Sequence, residues 1–301
     1  MATAREIKRR IRSVRNVSQI TRALQMVAST KMRRAQERVQ QSRPYADELR
    51  VLLARLAKVS AEADDPRDDE PDADKRLLQA RPVKHVGIAL VTPDRGLSGS
   101  LTPNTIRYTL GLMNDLQKEY GIAREDFRFI AVGKRGRDFV LRTHLQLLAE
   151  FTSLGDVPSS GDIRGIARAV SDAFIDQSVD EWVLVYPKYI NPAIQRPSHL
   201  KLLPVTAPEG VADEKQTDYF YEPSPAAIFS ALLPRYLETL ILQPALETVA
   251  SFYSAQYVAM KNATDNAKDL IDTLTLTYNK ARQAAITNQI LEVVAGSGDN
   301  E

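Results

Sequence analysis

From Ala4 to Lys58 the chain has no glycine and a single proline, Pro44. From Ala226 to Ala295 it again lacks glycine, and its two prolines, Pro234 and Pro244, fall near the start of that stretch. Glycine and proline are the residues that break helices, so their absence leaves little but helix for both ends. At ~1.5 Å per residue, the run Ala245–Ala295 makes a rod on the order of 75 Å long, well beyond the breadth of a moderate domain. A lone amphipathic rod is marginal in water. The natural partner of the last arm is the first, which predicts an antiparallel coiled coil of the two ends around a central domain.

Periodicity supports this pairing. The first arm carries Ile7, Ile11, Val14, Val17, Ile20, Leu24, Val27 and Ala28 at steps of three and four, one apolar stripe. The last arm repeats Leu246, Ala250, Tyr253, Tyr257, Met260, Thr264, Ala267, Ile271, Leu274, Tyr278, Ala281 and Ala285 with strict 4–3 spacing, a heptad seam. Beyond about Ala285 the first arm is exhausted, so the tip of the last arm is expected to stand alone and to need an external sleeve.

The formal net charge of +2 conceals an asymmetry. Residues 1–43 hold 12 Lys or Arg against Glu6 and Glu37, a local +10, and the remainder is net −8. Such a basic helix attracts a polyanion or an acidic protein surface, or else is a solvated coiled-coil flank. Tyr45 is the only aromatic before residue 50, so the stacking platform of a nucleic-acid binder is lacking. The Arg-rich first twenty residues resemble a transit peptide in composition, but their apolar period runs on unbroken and reads as mature helix.

Between the arms, HVGIALVT (85–92), FRFIAV (127–132) and EWVLVY (181–186) read as strands, with helices around Asn104–Tyr120, Arg135–Thr143 and Ile163–Ser178. This alternation predicts an α/β, Rossmann-like head with a mainly parallel sheet. The expected organisation is a coiled-coil helix over 1–60, an acidic linker over 61–82, the head over 83–205, a linker over 206–225 and the second coiled-coil helix over 226–301. The loop VTPDRGLSGSL (91–101) places Asp94, Arg95, Gly96 and Gly99 where a phosphate-binding turn would lie. Its G-x-x-G spacing matches neither nucleotide fingerprint. A nucleotide-binding α/β protein with dimerisation arms is the alternative this loop leaves open. His85, His144 and His199 lack ligand-spaced partners, there is no cysteine, and neither cofactor nor metal is expected. No run of about 18 apolar residues is present.

Four segments carry a resemblance. QITRALQMVASTKMRRAQ (19–36), DRGLSGSL (94–101), DYFYEPSP (218–225) and YVAMKNATDNAKDLIDTLTLTYNKARQAAITNQILEVV (257–294) resemble, in order, segments of the γ subunits of rotary F-type ATP synthases. The resemblance implies a non-catalytic central shaft inside a hexamer of α and β subunits, standing on a ring of c subunits beside an ε subunit. Its membrane contact would run only through that ring, on the cytoplasmic face of a bacterial plasma membrane. It further implies that Met26, Lys31, Arg33 and Arg34 lie near the β loops that meet the shaft. Thr287, Gln289 and Glu292 would face the sleeve, and Tyr219, Tyr221 and Glu222 the c ring and ε. Asp94, Arg95, Gly96 and Gly99 would shape the head. Phe252 and Gln256 stand where relatives usually carry an acid and an arginine, so a different grip on β is expected there. Gln289 stands where Glu is usual. Ser98 stands where cysteine is common, and no cysteine pair exists, which excludes thiol regulation of the plastid kind.

Overall fold

A computed structural model describes residues 3–62, 75–205, 222 and 225–297. Helix α1 spans Ala4–Glu62 and runs through Pro44 without a break; helix α5 spans Pro225–Ser297. Between them come β1 (Val86–Val91), α2 (Leu101–Tyr120), β2 (Phe127–Val132), α3 (Lys134–Arg142), β3 (Gln146–Phe151), α4 (Ser160–Ile175), β4 (Glu181–Asn191) and β5 (Ile194–Leu203). The sheet order is β3-β2-β1-β4-β5, with the first four strands parallel and β5 antiparallel to β4. This is the mostly parallel α/β sheet expected, with two strands more than the sequence announced. β3 alternates exposed and half-buried residues at the sheet edge, so its apolar signal is diluted. β5 contains Pro197, paired with Pro187, an arrangement an edge strand tolerates because one row of its amides needs no partner.

The chain forms two compact units, residues 31–255 and residues 1–30 with 256–301. In the first, alternate strand residues face opposite layers. Ile88, Leu90, Phe127 and Phe129 pack on α2 and α3 through Leu112, Met113, Leu116 and Phe139. Ala89, Ile130, Trp182 and Leu184 pack on α4 and α5 through Ile163, Ile166, Phe174, Leu237 and Ile241. Gly87 lies under the indole of Trp182; a Cβ there would sit 2.4 Å from the ring, so only glycine fits. Helix α2 ends on Gly121 at φ 67°, the left-handed cap that favours glycine. Helix α4 begins with a capping box in which Ser159 and Asp162 satisfy each other's amides. In this unit α1 packs on α5 through Leu49, Leu53 and Leu56 with Leu233 and Tyr236, then through Ala35 and Val39 with Leu246 and Ala250.

The second unit is the paired remainder of α1 and α5. Along α5, Met260, Thr264 and Ala267 are buried and Tyr257, Ile271, Leu274, Tyr278 and Ala281 half-buried, while the residues between these seam positions are mostly exposed. Ala285 is exposed, as is every residue from 282 to 291. The stripe on α1 differs from the expected one. Ile7, Thr21 and Ala28 are buried and Ile11, Val14, Ser18 and Leu24 half-buried, whereas Val17, Ile20 and Val27 are exposed. A two-helix seam repeats every 3.5 residues, so it passes through Ser18 and Thr21 rather than through their larger apolar neighbours. The Thr21 and Thr264 hydroxyls meet across the seam at 2.7 Å. Antiparallel heptads counted from this pair bring Ala4 against Ala281.

Candidate functional site

The strand ends hold the loop that resembled a phosphate site. The backbone amide of Lys134, at the start of α3, donates to Asp94 Oδ1 at 2.9 Å, and the amide of Ser153, just past β3, donates to Asp94 Oδ2 at 3.0 Å. One carboxylate thereby ties together the loops after β1, β2 and β3. It also takes up an amide at the N-terminus of α3, an end that could otherwise receive an anion. Gly133 takes φ 97°, and a Cβ there would fall 1.9 Å from the Thr92 carbonyl oxygen. Thr92 Oγ1 accepts the Gly136 amide at 2.8 Å. Gly99 at φ 56° and Leu97 at φ 65° turn the chain into α2, Gly96 lies against the Arg135 guanidinium, and Arg95 is exposed. A small cavity of about 70 Å³ lies beside this loop, lined in part by Asp94, Gly133, Asp156, Phe252 and Tyr253. Among the described residues no group of three or more His, Cys, Asp or Glu could hold a metal ion.

The loop after β3 carries a second cluster. Lys31 Nζ lies 2.6 Å from Asp156 Oδ2 and 3.3 Å from the Tyr253 hydroxyl, which also donates a short hydrogen bond to Asp156. Lys31 stands 5.4 Å from the centre of the Tyr253 ring, within cation–π range. The Asp156 and Tyr253 bonds raise the Lys31 ammonium pKa above its ordinary value. Burial alone would raise the Asp156 carboxyl, but Lys31 and Tyr253 outweigh it and hold it below the usual range. Burial, with Asp156 beside it, pushes the Tyr253 hydroxyl up. Lys31 is thus engaged within its own chain. Near it, Gln36 of α1 donates to the Tyr189 hydroxyl at 2.7 Å, the Tyr189 amide donates to Glu247 of α5 at 3.3 Å, and Ser251 donates to the Pro187 carbonyl at 2.8 Å.

The other anticipated residues are scattered over exposed faces. Val17 at 50%, Ile20 at 59% and Val27 at 52% exposure form an apolar strip on one flank of α1 outside the seam, while Met26, 59% exposed, lies on the other flank. Arg5, Lys8, Arg9, Arg10, Arg12, Arg15 and Arg22 are exposed, as are Arg33 and Arg34. On α5, Thr287 is exposed with its hydroxyl turned to the Gln283 carbonyl at 3.0 Å, and Gln289 is exposed between the exposed Ile286, Ile290 and Leu291. Glu292 lies in α5 with its side chain outside the described residues; Tyr219 and Tyr221 lie outside them altogether, and Glu222 is exposed. Phe252 is buried with Leu101 and Tyr253, Met32 packing alongside, and its ring meets Tyr253 edge-on at 5.0 Å. Asp156, Tyr253 and Thr21 were not singled out as functional from sequence. Tyr253 stood out only as a member of the α5 heptad, and laying those heptads antiparallel on α1 would have placed Thr21 in the seam; Asp156 left no signal.

Comparison with known proteins gives this geometry a lineage. A family model described as ATP synthase matches residues 3–298. The ATP synthase gamma chain of Roseiflexus castenholzii is 45% identical over 298 residues, 99% of this chain and 98% of the relative. That of Desulfitobacterium hafniense is 44% identical over 299 residues, 99% of each. The fold resembles a chain of the Euglena gracilis mitochondrial ATP synthase rotor, at 18% identity and a TM-score of 0.62, covering 94% of this chain and 98% of that one. A second Euglena gracilis ATP synthase structure, with F1 and c-ring, matches at 18% identity and a TM-score of 0.64, covering 98% and 94%. No helix among the described residues is long and apolar enough to cross a membrane. The chain belongs to the ATP synthase γ-chain family.

Proposed function

We propose that this chain is the rotating central shaft of an F-type ATP synthase, coupling ion-driven rotation of a membrane c ring to the conformational cycle of β catalytic sites. The observation that carries the reading is the outer surface of the α1–α5 pair: beside the buried seam, Val17, Ile20 and Val27 leave an exposed apolar strip on one flank of α1 among exposed arginines, and Met26 is exposed on the other flank. Solvent-facing apolar residues at this density call for a sleeve. A hexamer of α and β subunits supplies one, with acidic loops complementary to the basic arm. Past Ala281 the exposed Ile286, Ile290 and Leu291 ask for the same cover.

In this reading shaft orientation acts as an effector. Each angle offers different contact free energies to the open and closed forms of β, and so shifts their populations. Met26, Arg33, Arg34, Thr287, Gln289 and Glu292 meet the hexamer, and Tyr219, Tyr221 and Glu222 meet the c ring and ε. Lys31 reaches β only if its bonds to Asp156 and Tyr253 are released. The chain itself is non-catalytic, with synthesis and hydrolysis residing on β. It is peripheral to the membrane, on the cytoplasmic face, and touches it through the c ring. Reconstitution tests this: added to cognate α and β subunits, the chain should form a stoichiometric complex and raise its ATPase activity. Hydrolysis unchanged by addition, or no complex, overturns the reading.

A further inference from the structure

Asp156 has an unusual position for a loop carboxylate. It sits at the tip of the loop after β3, whose base is fastened by the Ser153 amide on Asp94 at 3.0 Å and whose path needs left-handed backbone at Ser153 and Gly155. That one carboxylate then takes a bond from each long helix, from Lys31 of α1 and from Tyr253 of α5. The extension of β4 does the same through Tyr189, whose hydroxyl accepts Gln36 of α1 and whose amide donates to Glu247 of α5. Lys31 and Tyr253 lie at or within two residues of the ends of this compact unit on the two helices, Lys31 and Ala255.

We propose that Asp156, with Lys31 and Tyr253, is a torsional clamp that locks the two helices to the α/β layer, so that twist applied to one is delivered to the other without slip. The inference rests on the shaft function above and names where that shaft resists internal rotation. Apolar packing cannot do this alone. Contacts such as Met32 and Val249 with Phe252 are non-directional and let a helix roll about its axis at little cost, whereas charge-assisted hydrogen bonds hold both distance and angle. Two bonds to one anchored carboxylate also couple the helices to each other, since rolling either one disturbs the shared acceptor.

Asp156→Asn keeps the shape and removes the charge, and Tyr253→Phe removes only the hydroxyl. In the isolated chain, amide hydrogen exchange should speed up by about tenfold together at residues 31–38, 153–158 and 249–255, the size expected for one charge-assisted bond lost at a half-exposed site. Acceleration confined to 153–158 would overturn the clamp, whatever happens to the complex. In the assembled complex, single-molecule torsional stiffness should fall about twofold in Asp156→Asn, while Lys31→Arg keeps it and Met113→Ala, on the opposite face of the sheet, leaves it unchanged despite lower stability. Equal stiffness in wild type and Asp156→Asn would refute the proposal. Failure of the wild-type chain to assemble would instead refute the shaft function and leave the exchange result to decide the clamp.

Discussion

The hydroxyl pair at Thr21 and Thr264 makes a quantitative demand on the seam. Thr264 spends its proton on the Met260 carbonyl at 2.8 Å, so the proton in the 2.7 Å contact between the hydroxyls comes from Thr21. Thr21→Val leaves Thr264 Oγ1 buried with an unfilled lone pair, a loss of about 1–2 kcal/mol. Thr264→Val costs less, about 0.5–1 kcal/mol, because Thr21 can turn its hydroxyl to the Ser18 carbonyl, already 3.1 Å away. Changing both removes two polar atoms and inserts methyl groups of matching shape, so the double variant should return to within about 0.5 kcal/mol of wild type. Hydrogen exchange at residues 14–28 and 257–271 reads this locally: about five- to thirtyfold faster in Thr21→Val, and close to wild type in the double variant. A double variant that loses the sum of the two single losses would refute the reasoning.

Three further outcomes follow from buried or unpartnered groups. Gly87→Ala drives a methyl into the Trp182 ring and should cost about 2–3 kcal/mol, lowering the urea midpoint followed by fluorescence of the single tryptophan; an unchanged midpoint would mean the sheet can shift there. Burial raises the Glu247 carboxyl above its ordinary 4.5, so folding favours its neutral form and its contribution is present below pH 4.5 and lost as pH rises through the folded value. Glu247→Gln should therefore stabilise the protein at pH 7 and gain little at pH 4, and equal gains at both would sink that account. Truncation after Ala285 removes the exposed Ile286, Ile290 and Leu291 and should leave seam exchange unchanged while weakening the coupling of hydrolysis to ion transport; intact coupling would assign the tip no role.

Legibility in the sequence followed the strength of the local signal. Helices as long as α1 and α5 show themselves through the absence of glycine, and β1, β2 and the start of β4 through apolar runs buried on both faces. The edge strands escaped notice because an edge need bury only one face, and in β5 because Pro197 reads as a breaker. The first arm misled at Val17 and Ile20, where larger apolar residues lie one place from the seam and a polar pair occupies it. Phe252 read as an altered outer grip, yet its ring is buried against Leu101, which the register of α5 on the α/β layer decides. Lys31, Asp156 and Tyr253 come from three distant parts of the chain, and no spacing rule joins them. Only the tertiary fold brings them into one cluster.

The 3.5-residue repeat has a directional consequence. Helices that meet along such a seam wind around each other with left-handed sense. Twist of that same sense draws Ser18, Thr21, Thr264 and Ala267 closer, where small side chains and a hydroxyl pair at 2.7 Å already leave little slack, while twist of the opposite sense eases them apart. The pair is therefore a handed spring, stiffer when wound than when unwound, and clockwise and anticlockwise loads of equal size store unequal elastic energy in it.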